Sequence, residues 1–217
     1  MKRYPIPEKE ARAEIIVVNS RFICSAAPAF TVEHAKNFIA RIKIKFPDAS
    51  HHVPVYLIGY GSSVIAHCSD AGEPPGTAGR PALAVLQGSG LGDVVVVVTR
   101  YLGGTKLGTG GLVHAYADAV KALLEVLPRA EKVPTYTVML AFQYTYFERI
   151  RLLIQAHKGV VIDEDFGSEV TVAARFPVDY FDNFQKALGK LTRGQVKAEI
   201  IETNPDTIMP LEKGARS

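Results

Sequence analysis

VVVVVTRYLGGTKLGTGGLVHAY, running from Val94 to Tyr116, sets a β-branched run, a glycine-rich turn and an apolar-striped segment end to end. Five consecutive valines and the flanking residues predict a strand from Asp93 to Arg100 that is buried on both faces, because no polar residue alternates with the apolar ones. From Gly111 the pattern changes period. Leu112, Tyr116, Ala119, Val120, Leu123 and Leu127 then share one face of a long helix. Strand, glycine loop and helix N-terminus together suit anion capture, since free N–H groups and the helix dipole favour negative charge. Arg100 and Lys106 add positive charge, Tyr101 offers a ring, and Gly103, Gly104, Gly108, Gly110 and Gly111 allow close backbone approach. The spacing fits neither the G-x-x-x-x-G-K-[ST] phosphate loop nor the G-x-G-x-x-G dinucleotide turn. A loop that only lets the helix pack closely is the competing reading.

Upstream, SDAGEPPGTAGRP from Ser69 to Pro81 is the second informative segment. Its three glycines, three prolines and two carboxylates describe a shaped loop rather than a flexible connector. Asp70 and Glu73 either accept backbone N–H groups and pin the loop or, with Thr77, contact a ligand. Around it, Ala13 to Val18, Arg21 to Ser25 and Val53 to Tyr60 read as strands. Thr31 is suited to cap a helix striped by Val32, Ala35, Phe38, Ile39, Ile42 and Phe46. Pro81 to Leu86 resumes as a helix.

Downstream, Pro128 and Pro134 interrupt two apolar patterns, so Leu127 to Pro134 reads as a linker. Beyond it the order is strand (Val133 to Gln143), helix (Tyr146 to His157), two strands about the turn Phe166-Gly167-Ser168, helix (Pro177 to Leu188) and strand (Gln195 to Glu202). That βαββαβ order is the ferredoxin-like split βαβ arrangement. Gly159 sits where a helix ends. The expected fold is α+β, with domains at 1–130 and 131–204 and a frayed polar tail over 205–217.

Composition narrows the function classes. The chain has 217 residues, 47% hydrophobic and 22% charged, the balance of folded domains. No run approaches the roughly 18–20 apolar residues of a membrane span, and MKRYPIPEKEAR is no signal peptide. The cytoplasm is therefore expected. Cys24 and Cys68 form no CxxC pair. Net charge is only +3, but residues 1–132 carry 15 Lys and Arg against 11 Asp and Glu, while the remainder carries 10 against 11. Lys36, Arg41, Lys43 and Lys45 concentrate this excess on one helix, either as a solvated face or as a docking site for an acidic partner. His51, His52, His67, Cys68 and Asp70 lie close in sequence, but adjacent histidines on a strand point to opposite faces. No metal or other cofactor is expected.

The two glycine-rich segments, with SRFICSAAPAF from Ser20 onward and the pair His51-His52, resemble the signature of the YigZ/IMPACT family over residues 19 to about 127. The ferredoxin-like unit is similar to the second domain of that family's bacterial and archaeal members. Ala71 departs from the pattern, because the family often has a second aspartate after Asp70. The resemblance implies a first domain similar to a domain of a small-subunit ribosomal protein and of elongation factor G. It also implies regulation of translation, as in eukaryotic members that restrain a starvation-sensing kinase through additional regions. The leading expectation is a translation-linked protein contacting RNA, a ribosome or a regulatory protein through the loops at Ser69–Pro81 and Thr99–Gly111. An enzyme acting on a phosphorylated small molecule or nucleotide is the alternative, although no general base, nucleophile or metal cluster is evident. A protein-docking module built on the basic helix is the third. Oligomeric state is left open by the sequence.

Overall fold

The computed structural model describes residues 3–210, which form two compact units, one of residues 3–132 with 208–210 and one of residues 133–207. In the first unit, β1 (Pro5–Pro7), β2 (Ala11–Val17) and β3 (Ser20–Pro28) precede α1 (Val32–Lys45). Then come β4 (His51–Ile58), β5 (Ile65–Cys68), α2 (Gly79–Gly88), β6 (Val94–Tyr101) and α3 (Gly108–Val126). The central sheet is antiparallel in the order β2-β3-β6-β4-β5. The valine run is its middle strand and is covered on both sides, as its unbroken apolarity predicts. Val94, Val96 and Val98 pack with α2 and α3, and Val95 and Val97 pack with α1.

Thr31 caps α1 by accepting from the His34 N–H at 3.1 Å. The helix buries Ala35, Phe38 and Ile42 against the sheet, with Val32, Ile39 and Phe46 beside them. Behind the sheet's far end, Asp93 accepts from the Gly59 N–H at 2.7 Å and from Lys132 Nζ at 3.0 Å. The Tyr4 hydroxyl donates to the same carboxylate. Burial and that bond push the Tyr4 phenol up to about 12.

Two expectations are corrected downstream. The proline-bounded stretch from Leu127 to Pro134 does contain the boundary between the units, at 132/133, but it is no irregular linker: a strand, β7 (Arg129–Phe142), starts inside it and pairs first with β1. Pro134 lies between the stretch of β7 paired with β1, which ends at Glu131, and the stretch paired with β9, which begins at Thr135. The chain after Thr203 is no frayed end either. β10 (Glu199–Pro210) runs through it and pairs with β7, where Thr135 and Thr207 share a buried hydroxyl bond of 2.6 Å. Residues 211–217 of the expected tail lie outside the described residues.

The second unit has the βαββαβ order. The later part of β7 is followed by α4 (Phe147–Ala156), β8 (Val160–Phe166), β9 (Val170–Pro177), α5 (Val178–Thr192) and β10. β9 lies between β7 and β8, and both pairings are antiparallel. Its core is aromatic, with the Phe176 and Phe184 rings stacked 4.2 Å apart. Gly159 ends α4 as expected, but for another reason. The left-handed residue is Lys158, at φ 59°, while a Cβ on Gly159 would overlap the Phe176 ring and come within 2.7 Å of Ile154 Cγ2.

Candidate functional site

Phe22, Arg100 and His51 stand opposite one another on β3, β6 and β4. Directly opposed residues of an antiparallel sheet share a face, and here it is the face covered by α2 and α3, where Phe22 is buried. Into this row the loop after β5 inserts Glu73. Arg100 Nη1 donates to Glu73 Oε1 at 2.7 Å, and the Tyr116 hydroxyl of α3 donates to the same oxygen at 2.7 Å. Arg100 Nη2 reaches Ser20 Oγ at 3.4 Å, and the guanidinium carbon lies 5.4 Å from the centre of the Phe22 ring. His51 completes the group. Its Nε2 is 3.9 Å from Glu73 Oε1, and its Nδ1 lies 3.0 Å from the Ala71 carbonyl. A carbonyl only accepts, so Nδ1 carries the proton and Nε2 is bare in the neutral ring.

Glu73, Arg100 and Tyr116 are 7%, 3% and 0% exposed, so the charges are compensated inside the unit rather than offered at its surface. Burial, and then the bond to Glu73, push the Tyr116 phenol far upward. This corrects the expectation that Arg100 adds free positive charge to the glycine-rich loop. Arg100 Nε is buried without a hydrogen-bond partner among the described residues.

Asp70 holds the loop itself. Its Oδ2 accepts from the Gly76 N–H at 2.8 Å, and its Oδ1 from those of Ala78 and Gly79 at 3.1 and 2.8 Å. Ala78 and Gly79 open α2 and no local side chain caps them, so Asp70 serves as a cap from outside the helix. Burial works to raise its carboxyl, but the N–H groups of Gly76, Gly79 and Ala78, aided by the Arg80 charge, hold it below the usual carboxylate range. Thr77 is likewise turned inward, donating to the Pro74 carbonyl at 2.7 Å.

The two loops meet at a cavity of about 500 Å³. Glu73 and Arg100 reach it from the buried side, and Pro74, Leu102, Leu107 and Leu112 give it apolar walls. Thr105, Lys106 and Thr109, all exposed, stand at its rim with Gly104 and Gly108. The helix starts earlier than its periodicity suggests. α3 opens at Gly108, so Gly108, Gly110 and Gly111 belong to its first turn rather than to a loop. Leu107 precedes that turn without a capping side chain, which leaves the leading N–H groups for solvent or a ligand.

The glycines divide by role. Gly104 and Gly108 adopt φ of 80° and 70°, conformations that favour glycine. Gly103 is there for packing, because a Cβ would collide with the Asn19 carbonyl. A Cβ on Gly111 would lie 3.3 Å from Leu107 Cβ, whereas Gly110 faces open space. Tyr101 is not brought to the cavity. Its ring packs beneath the Arg21 guanidinium at 5.7 Å. Lys36, Arg41, Lys43 and Lys45 are all exposed on α1, which packs on the other face of the sheet, and Arg41 is tied to Glu10. They form a surface separate from the cavity. Among the described residues no group of three His, Cys, Asp or Glu side chains is placed to hold a metal ion. Nor is any helix among them long and apolar enough to cross a membrane.

Comparison with known proteins gives consistent matches along the chain. Residues 18–124 match the Impact N-terminal domain, and residues 140–195 match a domain of unknown function, DUF1949. The IMPACT family member YigZ of Escherichia coli is 36% identical over 203 residues, 93% of this chain and 100% of that one. The IMPACT family member YvyE of Bacillus subtilis is 32% identical over 84% of this chain and 83% of its own. A Thermus thermophilus member is 38% identical over 85% and 99%. Among solved structures, one described as that of a hypothetical protein is 35% identical. It covers 93% of this chain and 98% of its own, with a TM-score of 0.61.

Proposed function

Because this chain belongs to the IMPACT family, we propose that it is a cytoplasmic binding protein of the translation apparatus that receives a phosphate-bearing segment of RNA at the mouth of the α3 cavity. The observation that carries this reading is the convergence of both glycine-rich loops on one cavity whose rim holds Lys106 and the uncapped first turn of α3. A helix N-terminus with a nearby lysine favours phosphate through both its dipole and its N–H groups. The link to translation rests on the family resemblance.

Lys106 is the exposed cation at the rim, while Arg100 contributes by keeping Glu73 and Tyr116 in place beneath it. Single-stranded RNA should bind with an affinity that falls steeply with salt. Lys106→Ala should lower that affinity several-fold and reduce the salt slope by about 0.7, the contribution of one phosphate contact on a single strand. Fluorescence anisotropy at three salt concentrations measures both. Co-sedimentation with ribosomal subunits tests the link to translation. Binding that ignores both salt and Lys106 would contradict the assignment.

A second reading, an enzyme or carrier for a phosphorylated small molecule, draws on the cavity itself. A volume of about 500 Å³ with apolar walls and a few polar groups falls in the range of small-ligand sites. A thermal-shift panel of sugar phosphates and nucleotides separates the two, since only this reading expects a strong shift from a sugar phosphate alone.

A further inference from the structure

Glu73 has more accepting capacity than its neighbours use. Oε1 takes the bonds from Arg100 and Tyr116. Oε2 takes none among the described residues, yet it is not one of the polar atoms sealed away without a partner, which are Arg100 Nε and Arg175 Nε. Glu73 lines the cavity. A carboxylate oxygen left unbonded on a side chain only 7% exposed and beside an apolar-walled cavity is available to a hydrogen-bond donor, and a ligand that displaced water from it without supplying one would leave it desolvated and unpaired, which is costly.

From this we infer that Glu73 Oε2 is the recognition point for a base, so that the cavity takes a nucleotide whose base edge carries an N–H donor. The inference rests on the phosphate reading above and deepens it. Three features of the cavity set out such a ligand in order. Lys106 and the first N–H groups of α3 meet the phosphate at the exposed rim. Leu102, Leu107, Leu112 and Pro74 cover the flat faces of the sugar and base. Glu73 accepts from an amino or imino N–H at the buried end. Arg100 and Tyr116 hold Oε1, which fixes the carboxylate plane and leaves Oε2 oriented before the ligand arrives. A base presenting only acceptors would place oxygen or bare nitrogen against a carboxylate and is disfavoured by repulsion.

Isothermal titration with three ligands tests this on the full chain. Adenosine 5′-monophosphate and purine riboside 5′-monophosphate differ by one amino group and share the phosphate, sugar and ring area. Ribose 5-phosphate lacks the base. Adenosine 5′-monophosphate is expected to bind about tenfold more tightly than purine riboside 5′-monophosphate, the effect of one charge-assisted hydrogen bond. Glu73→Gln keeps an acceptor for Arg100 and Tyr116 but replaces Oε2 by a donor, and should abolish the preference while ribose 5-phosphate binds as before. Lys106→Ala should weaken all three ligands alike. Equal affinity for the two purine nucleotides, with Lys106-dependent binding of ribose 5-phosphate retained, overturns the base-reading role and leaves the phosphate reading standing. Failure of all three ligands to bind, with Lys106-dependent binding of single-stranded RNA retained, overturns the base-reading role alone, and failure of RNA as well overturns both. The comparison of the two purine nucleotides needs only the native protein, so it decides the matter even if Glu73→Gln does not fold.

Discussion

At the scale of single residues, Glu73 shows how a motif can be legible while its chemistry is not. The sequence marks Asp70, Glu73 and Thr77 as the polar members of a rigid loop, and leaves open whether they pin it or face a ligand. Asp70 and Thr77 bond within the loop, and Glu73 pairs with an arginine 27 positions later. That pairing depends on which strands are neighbours. His51 lies opposite Arg100, and only the strand order brings it to Glu73. Arg100→Ala should therefore destabilise the first unit by about 3–5 kcal/mol, since it strands a buried carboxylate. Denaturant unfolding measures this, and a loss under about 1 kcal/mol, the scale of an exposed pair, would show that the pair is not buried as a unit. Asp70→Ala should cost about 1–2 kcal/mol by uncapping α2. The sign of the pH effect follows from the depressed Asp70 carboxyl. Its stabilisation is fully present above the ordinary carboxylate pKa of about 4 and is lost as pH falls through the lower folded value. The difference in melting temperature between native protein and Asp70→Asn should therefore hold from about pH 7 to pH 5 and shrink as pH falls below about 4.

At the scale of elements, periodicity located the five α-helices and eight of the ten strands among the described residues, missing the short β1 and β5, and the other errors fall where local chemistry and pairing disagree. The run Val94–Val98 needed no correction because both of its faces are apolar, and both are covered. Glycines misled in one place. The helix read as starting at Gly111 opens at Gly108, with Gly108, Gly110 and Gly111 in the first turn of α3, held by the apolar face that begins at Leu112. The prolines near residue 130 and the polar run after Thr203 suggested breaks, but β7 and β10 run through them because sheet pairing outweighs local composition. Glycine substitutions separate the roles. Gly159→Ala should destabilise the second unit by about 1–3 kcal/mol through overpacking against Phe176. Gly110→Ala meets open space and should raise stability by about 0.5–1 kcal/mol. Thermal melts of the two variants should move in opposite directions, and a stabilised Gly159→Ala would contradict the packing at β9.

At the scale of the molecule, the family and the two-part α+β organisation were legible from the two glycine-rich motifs and the βαββαβ order, and the matches over residues 18–124 and 140–195 agree. The two motifs pointed to both loops, but that they enclose one cavity depends on the strand order that brings residues 73–74 beside 100–112. The separate basic face of α1 stands as a second surface, and exchanging Lys36, Lys43 and Lys45 for Gln should leave the Lys106-dependent part of RNA binding nearly unchanged at physiological salt, where exposed charges more than about 8 Å apart are largely screened. The central claim, that the rim of this cavity and the first turn of α3 hold phosphate, is tested most directly by titrating ¹⁵N-labelled protein with short single-stranded RNA and following amide resonances. Saturable shifts of Gly104, Lys106, Gly108, Thr109 and Gly110, lost in Lys106→Ala, are the predicted result. Shifts confined to α1 or to the second unit, with these five amides unmoved, would contradict it.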